Sequence, residues 1–203
     1  MPIYLGNIVD AGATQLTTYG TPTVQDGIAS GFSGSNYYSF GTFQPSGTFE
    51  IVMAVKNTNN VAKYFFGCEG SGNIVMGTRK SSGKMQFVVY LGSNGSSWDI
   101  GSGSPAVTID ETGSVEYLVR LRFTGTQYIF DHSDDDGKHY HDKFIIDSST
   151  AVYPKEVLLG KAFNDSYAWG GSINLNKSYI KVGGEPWYGP CKMFDAGKYN
   201  FRF

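Results

Sequence analysis

The side chains best suited to chemistry lie in two short polar stretches. Trp98 stands between Ser97 and Asp99 in a run of Ser and Gly, with Asn94 shortly before it and Tyr90 at the end of a preceding alternating segment. Asn164, Asp165 and Tyr167 form a second stretch of the same kind. Flat aromatic faces stack on the C–H surface of a sugar ring, and Asn and Asp side chains hydrogen-bond its hydroxyls. These six residues are therefore candidates for carbohydrate binding, with Trp98 the leading one, because an aromatic in so polar a loop is hard to explain as core. Exposed aromatics also anchor protein interfaces, and Tyr, Ser, Gly and Asn suit adaptable recognition surfaces generally. A protein partner stays open at this point.

Catalytic and metal chemistry are harder to assemble. The chain has six Glu, at positions 50, 69, 111, 116, 156 and 185, and none has an acidic residue two positions later. Glu111 and Glu116 differ by an odd number, so one regular strand would turn them to opposite faces. No Gly-x-Ser-x-Gly elbow is present. Three histidines lie close together: His132, His139 and His141. The last two share a strand face, and His132 would sit opposite His139 across the Ser133–Lys138 turn. Imidazole is a common zinc ligand, but no familiar ligand spacing occurs. The polar outer face of a hairpin is the reading adopted. Asp134, Asp135 and Asp136 offer the oxygens that calcium takes. Ser133-x-Asp135-x-Gly137-x-x-Tyr140 instead resembles an Asp-box hairpin, with Tyr in place of the usual Trp, in which Ser and Asp bond the turn backbone. No metal and no cofactor is assigned.

The elements that position these groups are read from alternation. Phe49, Ile51, Met53 and Val55 alternate with Glu50, Val52, Ala54 and Lys56. Met85, Phe87, Val89 and Leu91 form a second such run, Val115 to Phe123 a third, and Tyr199, Phe201 and Phe203 a fourth. Each predicts a half-buried strand, with the third placed centrally. Turn residues separate the runs: Ser81-Ser82-Gly83, Asp136-Gly137 and Gly183-Gly184 among others. No ten-residue segment keeps a helical period, and Pro154–Gly160 has room for one helical turn. Short strands with regular punctuation predict an antiparallel sandwich or barrel. No linker or composition break appears, so one domain over residues 1–203 is expected.

Composition narrows the partners. The 203 residues include 16 Lys plus Arg and 18 Asp plus Glu, for a net charge of −2. That balance argues against nucleic-acid binding by phosphate neutralisation. No apolar run approaches the roughly 20 residues of a membrane-spanning helix, so membrane insertion is not expected. The first ten residues show no secretory signal. Cys68 and Cys191 make no metal spacing and no disulfide framework, and read as two buried thiols, with a single disulfide between them the alternative.

Three segments together carry a resemblance: Asp26–Tyr38 followed by Phe49–Val55, the Ser133–Tyr140 hairpin, and Trp169–Ile180 followed by Gly184–Tyr188. Their order is similar to that of the concanavalin A-like lectin/glucanase superfamily, in its laminin-G-like branch, and most to domains of bacteriophage tail and virion-surface proteins. The resemblance implies an all-β, two-sheet antiparallel jelly-roll sandwich, often with a sugar site. Glucanases of this superfamily carry a Glu-x-Asp-x-Glu pattern, which is missing here. The acidic pair that holds metal in legume-type lectins reads Glu50-Ile51-Val52. The expectation is therefore a non-enzymatic virion structural protein that binds host or environmental glycans, located on the virion surface and made in the host cytoplasm. Alternatives are a capsid or tail decoration module that binds only other virion proteins, and a glycan-cleaving enzyme or its binding module. Glycans and other virion proteins are the expected partners, and a homo-oligomer is compatible with the sequence. Trp169 is expected in the core, with Gly170 and Gly171 letting the backbone pass close to a neighbouring strand.

Overall fold

A computed structural model describes residues 17–58, 61–163 and 165–186. In chain order the described strands are β1 (Thr17–Tyr19), β2 (Thr23–Gln25), β3 (Ile28–Ser30), β4 (Tyr37–Phe43), β5 (Phe49–Lys56), β6 (Tyr64–Cys68), β7 (Ile74–Ser81), β8 (Lys84–Leu91), β9 (Gly101–Gly103), β10 (Tyr117–Phe123), β11 (Gln127–Ser133), β12 (His141–Asp147), β13 (Lys155–Leu159), β14 (Ser172–Val182) and β15 (Glu185–Pro186). One sheet runs β1-β4-β13-β6-β7-β8-β9 and the other β12-β11-β10-β5-β14-β3-β2, with β15 paired to β14. The strands within each sheet pair antiparallel. One 3₁₀ turn, Asp165–Tyr167, is described, and no described helix is long and apolar enough to cross a membrane.

Alternation explains the layers. Ile51, Met53 and Val55 of β5 and Val119 and Leu121 of β10 meet Met85, Phe87, Val89 and Leu91 of β8 in one buried cluster between the sheets. Trp169 joins it at 1 % exposure, its Nε1–H donating to the Ser172 carbonyl at 3.2 Å and its ring standing edge-on to Phe65. A Cβ on Gly171 would fall 1.9 Å from the Lys56 carbonyl oxygen, so only glycine lets β14 approach β5 there.

Three expectations change, and one falls outside the described residues. Pro154–Gly160 holds no helical turn: Lys155–Leu159 is strand β13, hydrogen-bonded on both sides by β4 and β6. A short apolar run such as Val157-Leu158-Leu159 suits a buried strand or a helical turn equally by period, and its neighbours decide. The centre of the second sheet belongs to β5, with β10 beside it. Outward-facing Val52 and Ala54 do not face water. Leu118, Tyr140 and Tyr179 cover them. The expected strand Tyr199–Phe203 and Cys191 lie outside the described residues, while Cys68 is buried.

The β11–β12 turn matches the Asp-box expectation. Ser133 Oγ accepts the N–H groups of Asp135 (3.3 Å) and Gly137 (2.9 Å) and donates to Asp135 Oδ1 (2.7 Å). Asp135 Oδ1 also accepts the His139 N–H at 2.9 Å. The His139 backbone and Ser133 hydroxyl bonds hold the Asp135 carboxyl well below the usual carboxylate range. Tyr140 closes the motif under the Arg120 guanidinium, 3.4 Å from the ring centroid. Ser133→Ala strips two turn N–H groups of their acceptor. It is expected to cost about 1–2 kcal/mol, a fall of roughly 2–8 °C in thermal midpoint, read by thermal unfolding.

Candidate functional site

The outward faces of β6, β7 and β8 carry Tyr64, Val75, Val88 and Tyr90, by the same alternation that sends Phe87 and Val89 inward. A bulge at β6 releases Phe65 and Phe66 both to the core, since Tyr64 pairs with Gly77 while Phe66 pairs with Met76. Gly77 leaves the floor on which the Tyr64 ring lies; a Cβ there would sit 2.4 Å from Tyr64 Cδ1. Over this face folds the connection from β13 to β14. It is laced to β6 by Gly160 N–H to Phe65 O (2.8 Å), Phe163 N–H to Cys68 O (2.9 Å) and Gly70 N–H to Phe163 O (3.0 Å). Those last two bonds hold Phe163 at φ +64°, a conformation that bulky residues rarely adopt.

Rings from separate segments meet here. Trp98 lies 5.5 Å from Tyr90 and 5.4 Å from Phe163 between centroids. Tyr64 lies 4.9 Å from Phe163 and 5.4 Å from Tyr167. Phe163 and Tyr167 are 5.5 Å apart. Tyr64 is buried, Tyr90, Trp98 and Phe163 are half-buried, and Tyr167 is exposed. Burial and the adjacent Tyr90 hydroxyl push the Tyr64 phenol up from its ordinary value. The structure thus brings Tyr90, Trp98 and Tyr167, read from two stretches far apart in sequence, into one patch.

The polar candidates have other duties. Asn94 Oδ1 accepts the N–H groups of Ser96 and Ser97, both at 2.9 Å, and its Nδ2 donates to Ser97 Oγ at 2.7 Å. Asn94 therefore shapes the loop that carries Trp98. Asp99 does the same by accepting the N–H (2.8 Å) and hydroxyl (2.5 Å) of Ser93. Asp165 Oδ1 pairs at 2.9 Å with Lys161, whose buried ammonium also meets Glu69 (2.6 Å) and the Gly34 carbonyl (3.1 Å). Burial pulls the Lys161 pKa down, and the two carboxylates more than offset it, leaving it raised. Asn164 lies outside the described residues. Sequence reading missed Tyr64 and Phe163. Phe163 was findable by the criterion that chose Trp98, an aromatic beside a polar stretch; Tyr64 was hidden in the apolar run Tyr64-Phe65-Phe66.

A second cluster sits at the β11–β12 end of the other sheet. His132 pairs with His141 across the ladder, correcting the expected pairing with His139. His139 bonds Asp135 Oδ2 at 2.6 Å, with its side chain 83 % exposed. His132 is no surface residue: it is 1 % exposed, beside Phe87 and Tyr117. His141 Nδ1 stands 3.0 Å from Asp142 Oδ2, and its Nε2 is 3.2 Å from Asp134 Oδ1. Burial, then the neighbouring His141, lowers the His132 pKa. The three consecutive aspartates diverge, Asp134 to His141, Asp135 to the turn and Asp136 to Lys177 at 2.8 Å. They do not form one oxygen cage. Glu116 also meets Lys177, at 2.8 Å, so Glu116 and Asp136 share a single cation.

Two facing antiparallel sheets with this strand order define the class: the chain has a concanavalin A-like jelly-roll fold. Similar solved structures include a legume lectin-like domain from Entamoeba histolytica, at TM-score 0.55 and 11 % identity, covering 90 % of this chain and 95 % of that one. The CBM2 module of an evolved Dit protein of Lactobacillus casei BL23 phage J-1 aligns at TM-score 0.54 and 15 % identity, covering 83 % and 90 %. The enzymatically active domain of bacteriophage CBA120 tailspike protein 2 aligns at TM-score 0.52 and 12 % identity, over 83 % of this chain and 28 % of that one. No protein-family model matches the sequence, and no curated protein does.

Proposed function

We propose that the chain is a non-catalytic, lectin-like module that binds glycans through the Tyr90–Trp98–Tyr167 patch, as part of a bacteriophage virion. One observation carries the binding reading: Tyr64, Tyr90, Trp98, Phe163 and Tyr167 converge on the outer face of one sheet, with Trp98, Tyr90 and Tyr167 reaching solvent. Such a surface offers flat faces to sugar C–H groups, with the Ser93–Asp99 loop that carries Trp98 beside it for hydroxyls. The fold shared with a lectin-like domain and a phage CBM2 module supports the same direction. The phage neighbours support the virion setting. The non-catalytic reading rests on the missing Glu-x-Asp-x-Glu pattern and on Glu116 and Asp136 both being ion-paired to Lys177.

The test is a glycan array with the purified chain. Saturable binding to one glycan class is the expected result. Absence of binding, with the chain present in purified particles, would favour a decoration module that contacts only virion proteins. Release of reducing sugar from host polysaccharide would overturn the non-catalytic assignment.

A further inference from the structure

We propose that the open end of the β11–β12 hairpin binds a divalent transition-metal ion of the zinc class through His132 Nε2, His141 Nδ1 and Asp142 Oδ2. One ligand atom from each of these three residues lies within 4.8 Å of the others. Asp142 Oδ2 is 3.0 Å from His141 Nδ1 and 3.7 Å from His132 Nε2. Zinc–ligand bonds of about 2.0–2.1 Å in a tetrahedron place ligand atoms about 3.3 Å apart. These two separations bracket that value, and the third lies within 4.8 Å.

Independent support comes from His132 itself. Its side chain is 1 % exposed and neither ring nitrogen has a hydrogen-bond partner. A buried imidazole with both nitrogens unsatisfied is costly, because each has lost its water without gaining a partner. Nε2 lies 3.7 Å from Asp142 Oδ2, and the His132 and His141 ring centroids are 4.3 Å apart. A cation at that point satisfies the nitrogen that the protein leaves unpaired.

The backbone brings the ligands together. Adjacent residues in a regular strand face opposite ways. Between the pairs Phe130–Phe144 and His132–His141 the register shifts, and Asp142 takes φ +52°. This bulge turns Asp142 to the side of its neighbour His141. Asp134 Oδ1 stands 3.2 Å from His141 Nε2, placed to accept its proton when a metal replaces the hydrogen bond between Nδ1 and Asp142, the usual carboxylate–histidine–metal relay. With the His141 and Asp142 side chains 42 % and 40 % exposed, the fourth position opens to solvent. Two imidazoles and one carboxylate suit zinc, copper, nickel or iron better than calcium, which takes oxygen ligands.

The experiment is calorimetric titration of Zn²⁺ into the full chain after chelator dialysis, with Co²⁺ absorption as a second readout. Saturation at one ion per chain and visible bands of four-coordinate cobalt are expected. His141→Ala and Asp142→Asn each remove an exposed ligand and are expected to abolish the cobalt bands. Asp134→Asn is expected to weaken Zn²⁺ binding roughly 10- to 100-fold. His139→Ala, outside the set, should leave it unchanged. Absence of saturable binding, or equal binding by the His141→Ala and parent chains, would overturn the site, whatever the glycan array shows.

Discussion

Trp98→Ala is expected to weaken glycan binding roughly 30-fold, the equivalent of about 2 kcal/mol for loss of a central aromatic anchor. Trp98 bridges Tyr90 and Phe163, so its removal takes away a stacking face and loosens the rings beside it. Tyr167→Ala separates these effects. Tyr167 is 38 % exposed and borders the patch through Tyr64 and Phe163. Its truncation should leave thermal stability nearly unchanged, as surface substitutions usually stay within about 0.5 kcal/mol, and should still weaken binding. Calorimetry with the glycan identified on the array reads both variants. Loss of binding in Trp98→Ala but not in Tyr167→Ala would confine the site to the Trp98 loop.

Asp131→Ala should do the reverse, unfolding the protein more easily while leaving the glycan surface intact. Asp131 is 3 % exposed on β11. It accepts two bonds from Arg120, at 2.8 and 2.9 Å, and one from Arg122 at 3.1 Å. Removing one partner of a buried ion pair strands the others, at a cost of about 3–5 kcal/mol. The guanidiniums reach water in part, Arg122 more than Arg120, so about 3 kcal/mol is the better figure here. That is a fall of roughly 6–12 °C in thermal midpoint. The residue belongs to the sheet opposite the aromatic patch, so array binding of the folded variant should match the parent.

The strands were legible wherever one face of an element is wet or lined by different residues. Phe87 and Val89 against Gln86 and Tyr90 announced β8 and its orientation. Val157-Leu158-Leu159 did not announce β13, because a strand bonded on both edges and buried on both faces loses its alternation. The candidate site was half legible. Trp98 and Tyr167 stood out by local polarity, but their meeting depends on the β13–β14 connection folding over β6, a long-range pairing that no local pattern encodes. Asn94 was chosen for its chemistry, and its loop neighbours consume it. His132 was misread because the register shift after Phe130 sets which histidine it faces, and a bulge leaves no mark in residue spacing.

On the proposed function, the outer aromatic face of the β6–β8 sheet receives a sugar. A crystal structure of the chain with its array-selected glycan decides whether it does. A sugar ring against Trp98 and Tyr167, with hydroxyls toward the Ser93–Asp99 loop, is the expected result. A glycan seated instead on the Arg120–Tyr140 face of the opposite sheet would contradict it.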